Sequence, residues 1–312
     1  MTIILPCSNM SLVSIGMPAY NGEQCIRRAL DSLLVQDYNN FELIISDNAS
    51  TDATLQICKE YAGSDNHIRI HTHPHNVGSL ANFKTVLEIA SGKYFMWAAC
   101  DDYWLPEFIS TLIKELEKHP EAGVAMCAVE RVYEDGTLFD TIRFKGNDDP
   151  NSRTHYQMMK SLTSPKKYNL YLYGLFKTHL LRQAILFYPE VPGLDRLFMC
   201  QMALATRFRY VDNVMYKKTL YVQPYNVRWP NEKFSKILNE DRFSDIKILL
   251  ALGKMLFQSN IIPWYKKIYL PIALWRYGWL LLLSRFASKI KERVNPNIWN
   301  RLKKLKKLIF PS

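Results

Sequence analysis

Apolar positions in residues 12–133 follow two alternating patterns. Short apolar runs are typical of buried strands, whereas Ile26, Ala29, Leu30 and Leu33 recur at the spacing of one helix face. The runs that predict strands are LVSIGM, FELIIS, IRIHTH, KYFMWAA and GVAMCAV. Strands that alternate with helices indicate an α/β fold, with a mostly parallel sheet and helices on both faces.

Capping residues and glycines predict where the helices begin and end. Asn21 and Gln24 have the spacing of a capping box, and Ser79 precedes the helical pattern LANFKTVLEIA. Gly92 follows that pattern, as a glycine after a helix does. Beyond residue 130, Asp135-Gly136 predicts a hairpin turn, LYLYGLFK and RYVDNVMYKK predict strands, and residues 194–206 predict a helix.

The charge of the chain is concentrated at one end. The chain has 312 residues and a formal net charge of +11. Residues 261–312 contain twelve Lys or Arg and one Glu, so the rest of the chain is neutral. Because these basic residues lie among Trp, Leu and Ile, they favour an anionic membrane surface over nucleic acid as the partner.

Two segments of this basic region have different patterns. Residues 268–287 are apolar, but Pro271 and Arg276 interrupt them, which leaves a spanning helix open and favours one lying on the membrane. Residues 295–312 have the pattern of a basic amphipathic helix. We therefore expect two domains, residues 1–222 and a C-terminal helical membrane-associating region, residues 223–312.

Several classes of protein are excluded or disfavoured by missing motifs. The six cysteines form no CxxC pair, which excludes a zinc-finger pattern and favours a reducing compartment. The N-terminus lacks the pattern of a secretion signal. The strings GxGxxG, GxxxxGK[ST] and GxSxG are absent, which argues against a dinucleotide-dependent dehydrogenase, a P-loop enzyme and a serine hydrolase.

Three polar segments follow predicted strands. They are Pro18–Glu23, Asp47–Asp52 and Asp101–Tyr103. Because ligands of open α/β sheets bind beyond the carboxyl ends of the strands, these segments predict one shared site. On sequence alone, Asp101 and Asp102 also suit the start of a helix, and Asp47 suits an Asx-turn.

These segments and their order resemble the inverting glycosyltransferases of family 2, which have the GT-A fold, over residues 10–220. The resemblance is carried by MPAYNGEQCIRRALDSLLVQDYNNFELIISDNASTD, HNVGSLANFKTVLEIASGKYFMWAACDDYWLPEF and GLDRLFMCQMALATRF. It implies that Asp102 binds Mn²⁺ or Mg²⁺ within the DxD motif, whose first position is Cys100 here. It also implies a nucleotide-sugar site, with Asp47 at the base and Asp101 at the ribose or metal. The implied donor-site residues are Pro18, Ala19, Tyr20, Asn21, Glu23, Asp47, Asn48, Asn76, Gly78, Asp101 and Asp102.

The catalytic base implied by the resemblance is Asp195, which opens a predicted helix after the loop 146–153. Asp148 and Asp149 are weaker alternatives, and Arg228 is a candidate for contacting phosphate. His71, His73 and His75 alternate on a predicted strand, but they occupy a variable segment of the family, so a metal role is disfavoured.

The resemblance also implies a reaction and a location. It implies transfer of a sugar from a nucleotide-diphosphate donor, UDP being the commonest in the family, to an acceptor hydroxyl with inversion. A lipid-linked or surface polysaccharide precursor is the expected acceptor, and the cytoplasmic face of the plasma membrane is the expected location. The alternative is a membrane-tethered nucleotide- or sugar-binding protein that has lost catalysis.

Overall fold

A computed structural model describes residues 10–162, 168–185, 194–223 and 257–269, together with 253, 271–272, 275 and 278. Within these residues, nine strands form one sheet, and seven α-helices accompany it. The strands are β1 Val13–Ala19, β2 Phe41–Asp47, β3 Ile68–Thr72, β4 Tyr94–Trp97, β5 Tyr103–Trp104, β6 Ala122–Tyr133, β7 Leu138–Ile142, β8 Leu175–Lys177 and β9 Arg207–Leu220. The helices are α1 Ile26–Leu34, α2 Thr54–Ser64, α3 Ser79–Glu88, α4 Phe108–Lys118, α5 His155–Leu162, α6 Thr178–Ile185 and α7 Leu194–Ala205.

The first half of the sheet is parallel. Its strand order is β3-β2-β1-β4, and each neighbouring pair runs in the same direction. Every residue of β1 and β2 is buried, so both faces of these strands are covered, as is usual for parallel sheets. The predicted α/β class and the parallel arrangement are confirmed here.

The second half of the sheet is mixed. β8 pairs antiparallel with both β4 and β6, while β6 and β9 are parallel. The short strand β5 pairs antiparallel with β9 and therefore ties the residues after the aspartate pair to the last strand. The predicted hairpin at Asp135-Gly136 joins β6 to β7, and Gly136 has a φ of 84°, which favours glycine.

Four local predictions were wrong. Ser79 does not cap α3 but is its first residue, and Gly78 occupies the cap position. Asn21 does not cap α1, because it has a φ of 48° and its Oδ1 accepts the Thr51 N–H, 2.8 Å away. Gly92 does not end α3, which ends at Glu88; a Cβ on Gly92 would lie 2.6 Å from Ser14 N, so close packing requires the glycine. The first part of LYLYGLFK forms a 3₁₀ turn, Tyr168–Tyr173, rather than a strand.

Part of the C-terminal region packs against α7. Gln201 Nε2 donates to Ser259 Oγ at 2.6 Å, and Lys266 Nζ donates to the Leu204 carbonyl at 3.0 Å. Among the described residues, no helix is long and apolar enough to span a membrane. The amphipathic segment 295–312 and most of residues 268–287 lie outside the described part of the chain, so those predictions and the domain division remain predictions.

Candidate active site

The structure brings the three polar segments together at the carboxyl ends of β1, β2 and β4. Ala19 at the end of β1 lies opposite Asp47 at the end of β2. The Asn21 N–H donates to Ser50 Oγ at 3.0 Å, which joins the first segment to the second. Gly22 approaches Cys100 so closely that a Cβ on the glycine would lie 3.1 Å from the cysteine sulfur, which joins the first segment to the third.

The side chains of Asn21 and Glu23 hold the first two segments together. Asn21 Oδ1 accepts from Thr51 N, and Glu23 Oε2 accepts the Ala53 N–H at 2.9 Å, just before α2 begins. The Glu23 N–H in turn donates to Asp52 Oδ2 at 3.1 Å. Pro18 and Ala19 end β1, and Tyr20 follows them. Contact of these five residues with a nucleotide remains a prediction.

Asp47 has one carboxylate oxygen in a turn and one without a partner. The residue is 1% exposed, and Oδ2 accepts the Ser50 N–H at 3.1 Å, three residues on, whereas an Asx-turn bonds the N–H two residues on. Oδ1 is buried and has no hydrogen-bond partner among the described residues. Because a buried polar atom without a partner is costly, this oxygen is suited to accept an N–H from a bound ligand.

Asn48, Asn76 and Gly78 build the rim beside Asp47. Asn48 Nδ2 donates to Asn76 Oδ1 at 3.0 Å, and Asn48 Oδ1 accepts the Val77 N–H at 2.9 Å. Gly78 has a φ of 90°, a conformation that side chains disfavour. These contacts fix the turn that leads into α3, and any contact of the three residues with a ligand remains a prediction.

Asp102 is buried within a hydrogen-bond network. It is 0% exposed; Oδ1 accepts the Thr219 N–H at 2.7 Å, and Oδ2 accepts the Tyr216 hydroxyl. Lys218 Nζ lies 3.4 Å from the same Oδ2. Burial raises the pKa of Asp102 to about 6, against the opposing charge of Lys218. Asp102 therefore fastens the motif to β9.

Both oxygens of Asp102 accept from β9 and the residue is 0% exposed, and the metal-ligand role that the resemblance implies for Asp102 remains a prediction. Asp101 is partly exposed beside it, and its backbone carbonyl is fixed by Arg28 Nη2 at 2.9 Å and by the Thr219 hydroxyl. No group of three or more His, Cys, Asp or Glu side chains in the described ranges is arranged to hold a metal. Mg²⁺ sites formed by one carboxylate and substrate phosphates need no such group, so Asp101 fits that role.

Sequence reasoning missed the basic and aromatic residues around the aspartate pair. Lys218 Nζ lies 4.3 Å from the centre of the Tyr173 ring, and the rings of Tyr173 and Tyr216 are 5.8 Å apart. In RYVDNVMYKK, the alternation of a strand puts Tyr216 and Lys218 on one face, which is the signal that could have found them.

Asp195 lies in the first turn of α7 and is partly exposed. Burial raises the pKa of Tyr173 to about 12, and the charges of Asp102, Asp101 and Asp195 add to the increase. The charge of Lys218 opposes this increase, and the three aspartates come from two distant parts of the sequence.

The two alternative aspartates have partners in their own loop. Asp148 forms an ion pair with Arg153, and Asp149 Oδ1 accepts the Asn151 N–H at 2.9 Å. Asn151 also exchanges two hydrogen bonds with the Tyr210 backbone, both 2.9 Å long, so this loop is fastened to β9. These contacts are those of a structural turn. Arg228 lies outside the described residues.

A family model described as "Glycosyl transferase family 2" matches residues 14–186. A protein of Mycobacterium tuberculosis strain H37Rv is 44% identical over 130 residues, which are 41% of this chain and 37% of that protein. The chain therefore spans little more than a third of the length of this relative.

Two solved structures have the same fold. Staphylococcus aureus TarS 1–349 in complex with UDP matches 86% of this chain and 89% of its own, with a TM-score of 0.56 and 21% identity. The mannosyltransferase PcManGT of Pyrobaculum calidifontis in complex with GDP-Man and Mn²⁺ matches 96% of this chain and 81% of its own, with a TM-score of 0.51 and 17% identity. At these identities the likeness shows the fold alone, and that fold is GT-A.

Proposed function

The chain belongs to glycosyl transferase family 2, and from this membership we propose that it moves a sugar from a uridine diphosphate donor to an acceptor hydroxyl with inversion. The observation that carries the proposal is the buried, unpartnered Oδ1 of Asp47 at the point where the three polar segments meet. Uracil offers a ring N–H that this oxygen can accept. TarS, which has the same fold, was solved with UDP.

The diphosphate of the donor is proposed to lie beside Asp101. This carboxylate would hold Mn²⁺ or Mg²⁺ together with the phosphates, and the cation would neutralise charge on the leaving diphosphate as a Lewis acid. Asp102 does not contact the donor in this proposal. It holds Asp101 in place through Thr219 and Tyr216 on β9.

Asp195 is proposed as the base that removes the proton from the acceptor hydroxyl. An inverting transfer needs this base on the acceptor side of the sugar, away from the leaving diphosphate. Asp195 comes from α7, whereas Asp101 follows β4. Carboxylates on separate elements suit the two sides of a sugar, which supports this assignment.

Nucleotide binding tests the donor site directly. UDP with Mn²⁺ is expected to stabilise the protein against heat, by about 2.7 kcal/mol at 100 times its dissociation constant, because it binds only the folded state. The measurement is a thermal shift with UDP, GDP, dTDP and CDP, each with and without Mn²⁺. Stabilisation by GDP alone would contradict the uridine donor, and no stabilisation by any nucleotide would contradict the proposed site.

Two matched variants make this experiment specific. Asp47→Asn should weaken UDP binding, because an amide nitrogen, which cannot accept a hydrogen bond, replaces one carboxylate oxygen. Asp37→Asn changes an exposed aspartate and should bind UDP as the unmodified protein does. Nucleotide binding without any transfer to lipid-linked or polysaccharide acceptors would favour the alternative, a binding protein without catalysis.

A second part of the proposal concerns an anionic membrane surface near the acceptor. The segment around the 3₁₀ turn Trp264–Tyr269 exposes large apolar side chains beside Lys266 and Lys267. Trp264 is 84% exposed and Ile268 is 71% exposed, and the set also includes Phe257, Tyr265, Ile272 and Trp275. Aromatic and basic residues together suit the headgroup region of a bilayer. Because this segment packs on α7, it would hold Asp195 near a lipid-linked acceptor.

Vesicle binding tests the membrane proposal. The double change Trp264→Ser and Trp275→Ser is expected to weaken binding to phosphatidylglycerol vesicles by about tenfold or more, since burying one large apolar side chain is worth about 1.5–3 kcal/mol. Co-sedimentation with vesicles measures this affinity. The control is Leu138→Ser with Phe139→Ser, which changes two exposed apolar residues on β7 and should bind normally. Equal binding by both double variants would contradict the proposal.

A further inference from the structure

Two cysteines meet between the first and third polar segments. They are Cys25, in the loop before α1, and Cys100, the residue before Asp101. Both sulfurs adjoin Gly22: a Cβ on this glycine would lie 3.1 Å from the sulfur of Cys100 and 3.7 Å from that of Cys25. The thiol of Cys25 also donates to the Gly22 carbonyl at 3.3 Å. The absence of a side chain at Gly22 therefore lets the two sulfurs approach.

These two thiols differ from the other cysteines that the structure describes. Cys58, Cys127 and Cys200 are buried, whereas Cys25 and Cys100 are partly exposed. Among the described cysteines, this pair is therefore the more accessible from solvent. Thiol–disulfide exchange depends on such access.

We propose that Cys25 and Cys100 form a reversible disulfide that controls the donor site, with a low-molecular-weight disulfide such as oxidised glutathione as the oxidant. One sulfur attacks the glutathione disulfide and forms a mixed disulfide, and the second sulfur then displaces the remaining glutathione. The Cys25–Cys100 bond forms while one glutathione S–S bond breaks. The two thiol protons end on two glutathione thiols, and the protein loses two electrons that the glutathione disulfide gains. In a reducing compartment, disulfides of this kind are transient and regulatory.

The effect on the donor site follows from the position of the pair and rests on the proposed function. Cys100 directly precedes Asp101, and Cys25 directly precedes α1. A disulfide would draw the two sulfurs together to about 2.05 Å. The Asp101 carbonyl is already fixed by Arg28 and Thr219, so the strain of closing this gap falls on the short segment that carries the Asp101 carboxylate. Oxidation therefore weakens binding of the diphosphate.

The test combines disulfide mapping with UDP binding. The full chain is incubated with oxidised glutathione, digested without reduction and analysed by mass spectrometry, and Mn²⁺-dependent UDP affinity is measured on the same sample. The expected result is a peptide cross-linked between Cys25 and Cys100 and an affinity at least tenfold lower, about 1.4 kcal/mol. Dithiothreitol should restore both the free thiols and the affinity.

Variants and separate readouts make each outcome decisive. Cys25→Ser and Cys100→Ser should each bind UDP equally before and after oxidised glutathione, whereas Cys7→Ser, which removes a thiol outside the described residues, should respond as the unmodified chain does. Absence of the cross-linked peptide, or a cross-linked protein with unchanged affinity, overturns the proposal. Failure of the reduced protein to bind any nucleotide contradicts the proposed function instead, and the mapped disulfide still reports on the cysteine pair.

Discussion

Replacing Asp102 by alanine is expected to destabilise the protein by about 3–5 kcal/mol, because it leaves the charge of Lys218 without its buried partner. The hydroxyl of Tyr216 and the N–H of Thr219 would also lose their acceptor. Urea unfolding measures the change in the free energy of unfolding. An effect of this size would identify Asp102 as the residue that fastens the motif to β9.

Two neighbouring variants distinguish this role from metal binding. Tyr216→Phe removes one hydrogen bond of the same network and should cost about 1 kcal/mol. Asp101→Asn should leave the free energy of unfolding within about 1 kcal/mol of the original, because its side chain is partly exposed and asparagine has nearly the same shape, but it should abolish Mn²⁺-dependent stabilisation by UDP. If Asp102→Ala cost less than about 1 kcal/mol and also lost the Mn²⁺ dependence, the two roles would be reversed.

Replacing Asp195 by asparagine is expected to lower kcat by about 10²–10⁴-fold, because the acceptor hydroxyl loses its base. The KM for the donor should change little, since Asp195 lies on α7 and not in the three donor segments. Steady-state transfer kinetics with a saturating acceptor measure both constants.

Asp148→Asn is the matched control for this substitution. Asp148 is an alternative base from sequence, but it is paired with Arg153 in a loop that is fastened to β9. The kcat of the Asp148→Asn variant should stay within about threefold of the original, a far smaller change than the loss of a general base causes. A large loss of kcat in Asp148→Asn, together with a small one in Asp195→Asn, would move the base to the loop.

The elements of the sheet could be predicted because each depends on a local pattern. Runs such as LVSIGM and FELIIS are apolar throughout, as strands buried on both faces must be, and they became β1 and β2. The strand predicted over the first part of LYLYGLFK is instead the 3₁₀ turn Tyr168–Tyr173, because a short aromatic run fits a strand as well as a buried turn. The prediction that Asn21 caps α1 was wrong because its Oδ1 accepts the N–H of Thr51 in another loop. The spacing of residues near Asn21 does not reveal this partner.

The candidate site could be predicted only in part, for the same reason. The shared site of the three polar segments could be predicted because each segment follows a strand, and parallel strands bring their carboxyl ends to one edge of the sheet. The sequence could not distinguish Asp101 from Asp102, because the two are adjacent and identical, and only the path of β9 decides which is buried. The partners of Asp102 lie up to 117 positions away, so the sequence around Asp102 does not indicate that it contacts Tyr216, Lys218 and Thr219.

The position of β9 determines when the site can form during synthesis. β1, β2 and β4 are complete once the ribosome has released residue 97, but Asp102 receives its partners only when Tyr216 and Thr219 have emerged. A nascent chain, or a proteolytic fragment that stops before β9, therefore has the strands of the proposed nucleotide site without the β9 residues that fix Asp102. The acidic motif is therefore fixed only after the last strand of the sheet has been synthesised.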